Sequence, residues 1–174
     1  KGYNVLLLDG ILDAHFISTL EQKYGDCQFA RVDSASIDKL IEKEEESKES
    51  KLNDEQKESV KKAFEEIIDK TSFNVEFSNL NETDAPVEVI QNEFMRRMKE
   101  MSAMNGMSMW GGMPDSYTLM LNANNPVIAG LVDKNEEEQK NTIHQLYDLA
   151  RLSKNLLKGK DLNEFVKNSF EVMK

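Results

Sequence analysis

The stretch Ile143-His144-Gln145-Leu146-Tyr147-Asp148-Leu149-Ala150-Arg151-Leu152-Ser153-Lys154-Asn155-Leu156-Leu157 decides how this chain is read. At ~100° per residue, Ile143, Leu146, Tyr147, Ala150 and Leu157 fall on one side of a helix, and Leu149, Leu152 and Leu156 fall nearly opposite. A helix that is apolar on two sides needs two partners. The spacing predicts helix from about Glu136 to Lys158, ended by Gly159. Asp161 with Glu164 then caps a second helix, on which Leu162, Phe165, Val166, Phe170 and Met173 recur at i, i+3, i+4. This hairpin carries more apolar surface than two helices can bury against each other. The pattern therefore predicts a homodimer through Ile143, Leu146, Tyr147, Ala150 and Leu157 of the first helix and Leu162, Phe165, Val166 and Phe170 of the second.

Upstream, the period changes from helical to alternating. Phe73, Val75 and Phe77 alternate with Asn74 and Glu76, as a half-buried strand requires. Val87 to Ile90 and Tyr117 to Leu121 are two further strands, the first placed at a sheet edge or strand start by Pro86. Asn53 with Gln56 forms a capping box before a helix with one apolar stripe of Val60, Phe64, Ile67 and Ile68. The run from Glu42 to Lys51 has no apolar residue to bury, and it predicts a boundary between segments 1–46 and 51–174. In the first segment Val5 to Leu8 is a continuous apolar run closed by Asp9-Gly10, as in a strand buried on both faces. A helix follows, with Asp13 at its cap, Phe16, Ile17, Leu20 and Tyr24 on one face, and Gly25 as a left-handed C-terminal residue. Cys27 to Val32 reads as a second strand and Ile37, Leu40 and Ile41 as a second helix. The expected class is α+β: a small βαβα unit, then a small mixed sheet with helices, then a C-terminal helical hairpin.

Composition removes several functions. The 174 residues carry 22 Lys and Arg against 32 Asp and Glu, a net charge of −10 with no basic stretch, which disfavours both nucleic acid and anionic lipid as partners. The aliphatic runs Val5 to Leu8 and Val127 to Val132 fall far short of the roughly 18 to 20 apolar residues that span a bilayer. The single cysteine, Cys27, forms no disulfide within one chain and points to a reducing compartment, the cytoplasm by default. The opening Lys1-Gly2-Tyr3, without initiator methionine or leader, reads as the start of a piece of a longer protein.

Few constellations promise chemistry. Eight of the nine methionines lie between Met95 and Met120, together with the one tryptophan, Trp110. If 91–104 is helical, Phe94, Met98 and Met101 share a face, with Arg96, Arg97 and Lys99 mostly directed elsewhere. Such a stripe is either core, since methionine fills irregular gaps, or an adaptable binding surface for varied partners. No histidine accompanies these thioethers, so a copper site is disfavoured. Asp9 and Asp13 at the end of the first apolar run suggest a phosphotransfer or nucleotide-dependent α/β enzyme, the alternative function. However, Ile11 stands where a haloacid-dehalogenase pattern needs its second acid. His15, Cys27 and His144 have no evident oxyanion donor or metal partner, and neither common glycine-rich phosphate loop occurs. The residues themselves thus indicate no catalytic, cofactor-binding or metal-ligating group.

Gly2-Tyr3-Asn4-Val5-Leu6-Leu7-Leu8-Asp9 with Ile11-Leu12-Asp13, then Phe94-Met95-Arg96-Arg97-Met98, then Tyr147-Asp148-Leu149-Ala150-Arg151-Leu152, in this order and spacing, resemble the heat-shock protein 90 chaperones, most of all their bacterial high-temperature protein G branch. The resemblance extends essentially end to end. It implies that 1–46 is the last α/β piece of a middle domain and 51–174 the C-terminal dimerisation domain. It also implies that ATP and magnesium belong to an N-terminal domain outside these residues, so that the chain alone is no enzyme. Phe94, Met98 and Met101 then correspond to a client-contacting stripe, and the resemblance implies that the hairpin dimerises as a four-helix bundle. The Met-Glu-Glu-Val-Asp tail that recruits tetratricopeptide co-chaperones is absent from the ending Glu171-Val172-Met173-Lys174, so no such partner is implied.

Overall fold

Strand β3 (Tyr117–Asn122) is the middle of a three-stranded sheet, pairing in parallel with β1 (Phe73–Ser78) and antiparallel with β2 (Val87–Gln91). The computed structural model describes residues 5–8, 10, 12–26, 29, 49–91, 96–98 and 115–172. Around the sheet lie helices α1 (Asp13–Lys23), α2 (Asp54–Glu65), the one-turn α3 (Pro126–Ala129) continued by a 3-10 turn (Gly130–Asp133), α4 (Glu136–Ser153) and α5 (Gly159–Val172). The mixed α+β class matches the expectation from periodicity.

The register explains why this sheet forms a core. Val75 and Val89 flank Leu119 from the two neighbouring strands, and Phe77 and Val87 flank Leu121. Residues opposite one another share a face, and these six make an apolar face that α2 and α4 cover. Leu119 and Leu121 are fully buried there with Val60 and Phe64 of α2, Ile143 of α4, and Ile128 and Leu131 from the turn after β3. Each such side chain contributes about 1.5 to 3 kcal/mol by leaving water. Phe73 stacks on Tyr117 at 5.3 Å and meets the Tyr147 ring edge-on at 5.3 Å, joining the sheet's end to α4. Pro86 has no N–H to give a ladder, and β2 begins immediately after it on an edge of the sheet.

The start of α2 follows the sequence closely. The Asn53 side chain accepts the Gln56 N–H at 2.8 Å while the Gln56 side chain accepts the Asn53 N–H at 3.0 Å, the reciprocal capping box.

A buried polar clasp follows β3 that the apolar pattern did not reveal. Asn122 Oδ1 accepts the N–H groups of Leu80 at 3.2 Å and Asn124 at 3.1 Å, and its Nδ2 donates to the Asn81 carbonyl at 2.8 Å. Asn124 Oδ1 accepts the Lys51 N–H and its Nδ2 donates to the Leu80 carbonyl. Asn125 holds the carbonyls of Glu82 and Asp84 and caps α3 through the Val127 N–H. Three asparagines thus satisfy the backbone of the 79–86 loop and of the chain entering α2, groups that would otherwise be left unpaired near the core.

The N-terminal segment departs from expectation. Residues 5–8 pair with no strand among the described residues, and Leu7 is 92% exposed, so the expected doubly buried strand is not present there. A continuous apolar run is buried only where neighbouring layers cover it, and nothing among the described residues covers this one. The expected second strand and helix, 27–32 and 36–41, lie outside the described residues except for Phe29. Leu12, not Asp13, occupies the N-cap of α1; Asp13 stands in the first turn, where its Oδ2 accepts the Gly10 N–H at 2.6 Å. Gly25 does not adopt a positive φ, since α1 ends through Tyr24 with φ −119°.

Replacing Asn122 by Ala would leave the N–H groups of Leu80 and Asn124 and the Asn81 carbonyl without their partner. We expect a loss of about 2 to 4 kcal/mol, read as a lower midpoint in urea. An unchanged midpoint would show that water replaces the side chain at no cost.

Candidate functional site

Helix α4 begins with Asn135, whose side chain accepts the Glu138 N–H at 2.9 Å, and Glu136, Glu137 and Glu138 place negative charge at the positive end of the helix dipole. The helix ends at Ser153, five residues earlier than its periodicity predicts. Asn155 takes a left-handed conformation (φ 57°), its N–H donates to the Leu152 carbonyl at 3.0 Å, and the Leu156 N–H reaches back to the Arg151 carbonyl at 2.9 Å. This is a Schellman ending with asparagine where glycine is more usual. Gly159, expected to terminate this helix, instead opens α5 with φ +59°.

The two apolar stripes of α4 have different fates. Ile143, Leu146, Tyr147 and Ala150 are buried in the chain's own core, as is Leu157 in the connection to α5. The five residues expected to face a second copy are thus covered within the chain itself. The opposite stripe remains outside, with Leu149 52% and Leu152 38% exposed. On α5, Val166 and Phe170 are 43% and 63% exposed, Leu162 and Phe165 are half-buried, and none of its described side chains is fully buried. The surface not consumed inside the chain therefore comprises Leu149, Leu152, Leu162, Phe165, Val166 and Phe170.

Arg151 ties α5 to α4. Its Nη2 donates to Asp161 Oδ2 at 2.8 Å, its Nη1 to Asp148 Oδ1 at 3.3 Å, and its guanidinium lies 5.1 Å over the Tyr147 ring. Burial pushes the Asp148 carboxyl above its ordinary range even with Arg151 beside it, and burial likewise pushes the Tyr147 phenol up. Asp161 therefore lies in the first turn of α5 and engages α4, rather than forming the expected cap with Glu164, which pairs with Lys160 at 3.5 Å. Arg151 escaped the sequence reading because nothing in its spacing shows that Asp161, beyond a tight turn, returns to it.

Of the expected client-contacting stripe, Met98 is half-buried within the helical residues 96–98, whereas Phe94 and Met101 lie outside the described residues. Met120, the other described member of the methionine cluster, is buried on β3. Asp9 and Cys27 lie outside the described residues, and His15 and His144 are exposed. Among the described residues no three His, Cys, Asp or Glu side chains converge as a metal site, and no helix is long and apolar enough to cross a membrane.

The family profile described as Hsp90 protein matches residues 1–174. The chaperone protein HtpG of Bacteroides thetaiotaomicron is 35% identical over 242 residues, covering 99% of this chain and 35% of its own length. That of Porphyromonas gingivalis is 42% identical over 150 residues, covering 84% and 22%, and that of Bacteroides fragilis is 33% identical over 242 residues, covering 99% and 35%. The chain belongs to the Hsp90 family, in its HtpG branch. This Hsp90-family chain spans about a third or less of the length of the relatives it matches. Because the longer alignments run to 242 positions against 174 residues here, those relatives carry residues within the matched span that have no counterpart in it.

In this Hsp90-family chain, Arg151→Leu removes two charge-assisted contacts and a cation over a ring while leaving the helix intact. We expect a loss of about 2 kcal/mol in urea unfolding, with Arg151→Lys recovering part of it. Equal stability of all three proteins would show that α5 is held by other means.

Proposed function

We propose that the chain is the C-terminal part of a molecular chaperone, that it dimerises through the outward face of α4 and α5, and that the segment around Met98 contacts non-native client proteins. The observation that carries this reading is the outward apolar face itself. Leu149, Leu152, Val166 and Phe170 are large and exposed, and Leu162 and Phe165 are half-buried beside Val166 on one face of α5. Exposed apolar surface of this kind marks protein contact. A second copy offers the same face in return, the self-complementary arrangement of a two-fold dimer, and two hairpins together make four helices. Residues 1–46 would then belong to the preceding domain and 51–174 to the dimerisation domain of a cytoplasmic chaperone; the name of the HtpG relatives supports the chaperone part of this reading.

Because Leu149 and Phe170 are exposed within the single chain, Leu149→Glu with Phe170→Glu removes a partner contact without disturbing the core. Light scattering at tens of micromolar protein should give a dimer mass for the parent and a monomer mass for the variant, since a specific interface of about 1,200 to 2,000 Å² holds at that concentration. A monomeric parent ends the dimer reading.

Client contact is tested at Met98. Being half-buried rather than core, it should accept Met98→Ser at about 1 kcal/mol or less, well below the 2 to 5 kcal/mol typical of a core methionine truncation. Binding of a fluorescently labelled unfolded protein should weaken severalfold at nearly unchanged melting temperature. Undiminished binding would count against the assignment. The same reading places ATP and magnesium on residues outside this chain, and hydrolysis above background by the purified chain would contradict it.

A further inference from the structure

Arg151 gives its two arms to carboxylates on two different helices. Nη2 donates to Asp161 Oδ2 of α5 at 2.8 Å, and Nη1 donates to Asp148 Oδ1 of α4 at 3.3 Å. The shorter contact goes to the more exposed partner: the Asp161 side chain is 55% exposed and the Asp148 side chain 25%. Asp148 has left most of its water without gaining a close fork from the guanidinium, a costly position for a charge. The charged groups facing it are Arg151 and His144 on its own helix and Asp161 on α5. Asp69, in the turn before β1, also feels the Arg151 cation. One guanidinium thus serves more negative charge than it pairs at short range. Burial pushes the Asp148 carboxyl above its ordinary range although Arg151 and His144 pull it down. A carboxyl raised in the folded state costs stability while ionised, and the cost is relieved as pH falls through the raised pKa or as the charge is removed.

Position gives this competition a consequence. Asp161 lies in the first turn of α5, two residues after Gly159 turns the chain with φ +59°, and Leu162 follows it directly. Whatever draws the guanidinium toward Asp161 therefore seats the start of α5 on α4. Asp148 in turn precedes Leu149 and stands one helical turn before Leu152, at the border of the outward stripe. The two carboxylates stand on the two helices whose apolar side chains make up the outward face.

We propose that Arg151 is the positioning residue of that face and that Asp148 opposes it by competing with Asp161 for the guanidinium, so that removing the Asp148 charge seats α5 more firmly and tightens association of two copies. The inference rests on the dimer reading for its second half only, since the seating of α5 is a property of one chain.

The test pairs two isosteric substitutions, Asp148→Asn and Asp161→Asn, in the 174-residue chain. Hydrogen exchange followed by mass spectrometry reads opening of the α5 amides, and sedimentation equilibrium reads the dimer dissociation constant. Exchange is measured in the Leu149→Glu, Phe170→Glu background, where association does not contribute. Asp161→Asn should speed α5 exchange and Asp148→Asn should slow it, each by about threefold, the scale of one partly exposed ion pair. The dissociation constant should rise with Asp161→Asn and fall with Asp148→Asn. Each substitution removes one negative charge, so a general easing of repulsion between chains of net charge −10 would move both variants together. Opposite signs are the signature of competition. Arg151→Leu should abolish the slowing caused by Asp148→Asn, and survival of that slowing without the guanidinium overturns the competition. Faster or unchanged α5 exchange in Asp148→Asn also overturns the proposal, because both carboxylates are then simple staples. Should Arg151→Leu fail to fold, the two isosteric variants decide alone. Opposite exchange shifts at an unchanged dissociation constant overturn the link to association. Opposite exchange shifts with a monomeric parent uphold the competition and count instead against the dimer reading.

Discussion

Burial of Leu119 and Leu121 on the central strand is the constraint on which the rest of the structure depends. Both lie between neighbouring strands and under helices, and both are fully excluded from solvent. Covering them requires an apolar helix face, and α2 and α4 supply it through Val60, Phe64, Ile143, Leu146 and Ala150. Once α4 has turned that side inward, geometry places Leu149 and Leu152 outward, since they stand roughly half a turn away. The outward stripe is therefore a consequence of the core. Its exposure follows from a helix whose two apolar sides cannot both meet one sheet.

Much of this was legible in the residues wherever the determinant is local. Asn53 and Gln56 announce a capping box three positions apart, and the box is there. Phe73, Val75 and Phe77 alternate, and Pro86 precedes an edge strand, because side-chain period and a missing N–H act within a few residues. What escaped was non-local. Periodicity showed that α4 has two apolar sides but not which one meets the sheet, a choice made by residues far away on β1, β2 and β3. Asn155 ended α4 before Gly159 could, because asparagine also tolerates a left-handed conformation at modest cost. Val5 to Leu8 reads as a buried strand by composition, yet burial depends on neighbours that no local pattern specifies.

The asparagine clasp belongs to the same class of non-local determinant, although a signal for it existed. Asn122-Ala123-Asn124-Asn125-Pro126 directly after a strand is an unusual density of short amides, each able both to donate and to accept. A strand end that must receive two passing chain segments needs such groups, because the segments arrive with unpaired N–H and carbonyl groups. Hydrophobic periodicity ignores these residues, and with them the polar element that fixes where the 79–86 loop and the start of α2 sit relative to β3.

Two arginines show how the chain holds elements that it does not bury. Arg151 anchors α5 through Asp161 while stacking on Tyr147, and Arg97 anchors residues 96–98 through Glu21 and Phe29. In both cases the anchored element carries exposed or half-buried apolar side chains. An apolar face that stays exposed cannot be what holds its element in place, since holding would cover it within the chain. Directional, charge-assisted contacts made by a neighbouring side chain resolve the conflict: they fix position while leaving apolar area free. Such contacts yield more readily to salt and to competing ions than packed side chains do. Elements held this way belong to the low-stability end of the fold, from which moving and binding elements are drawn.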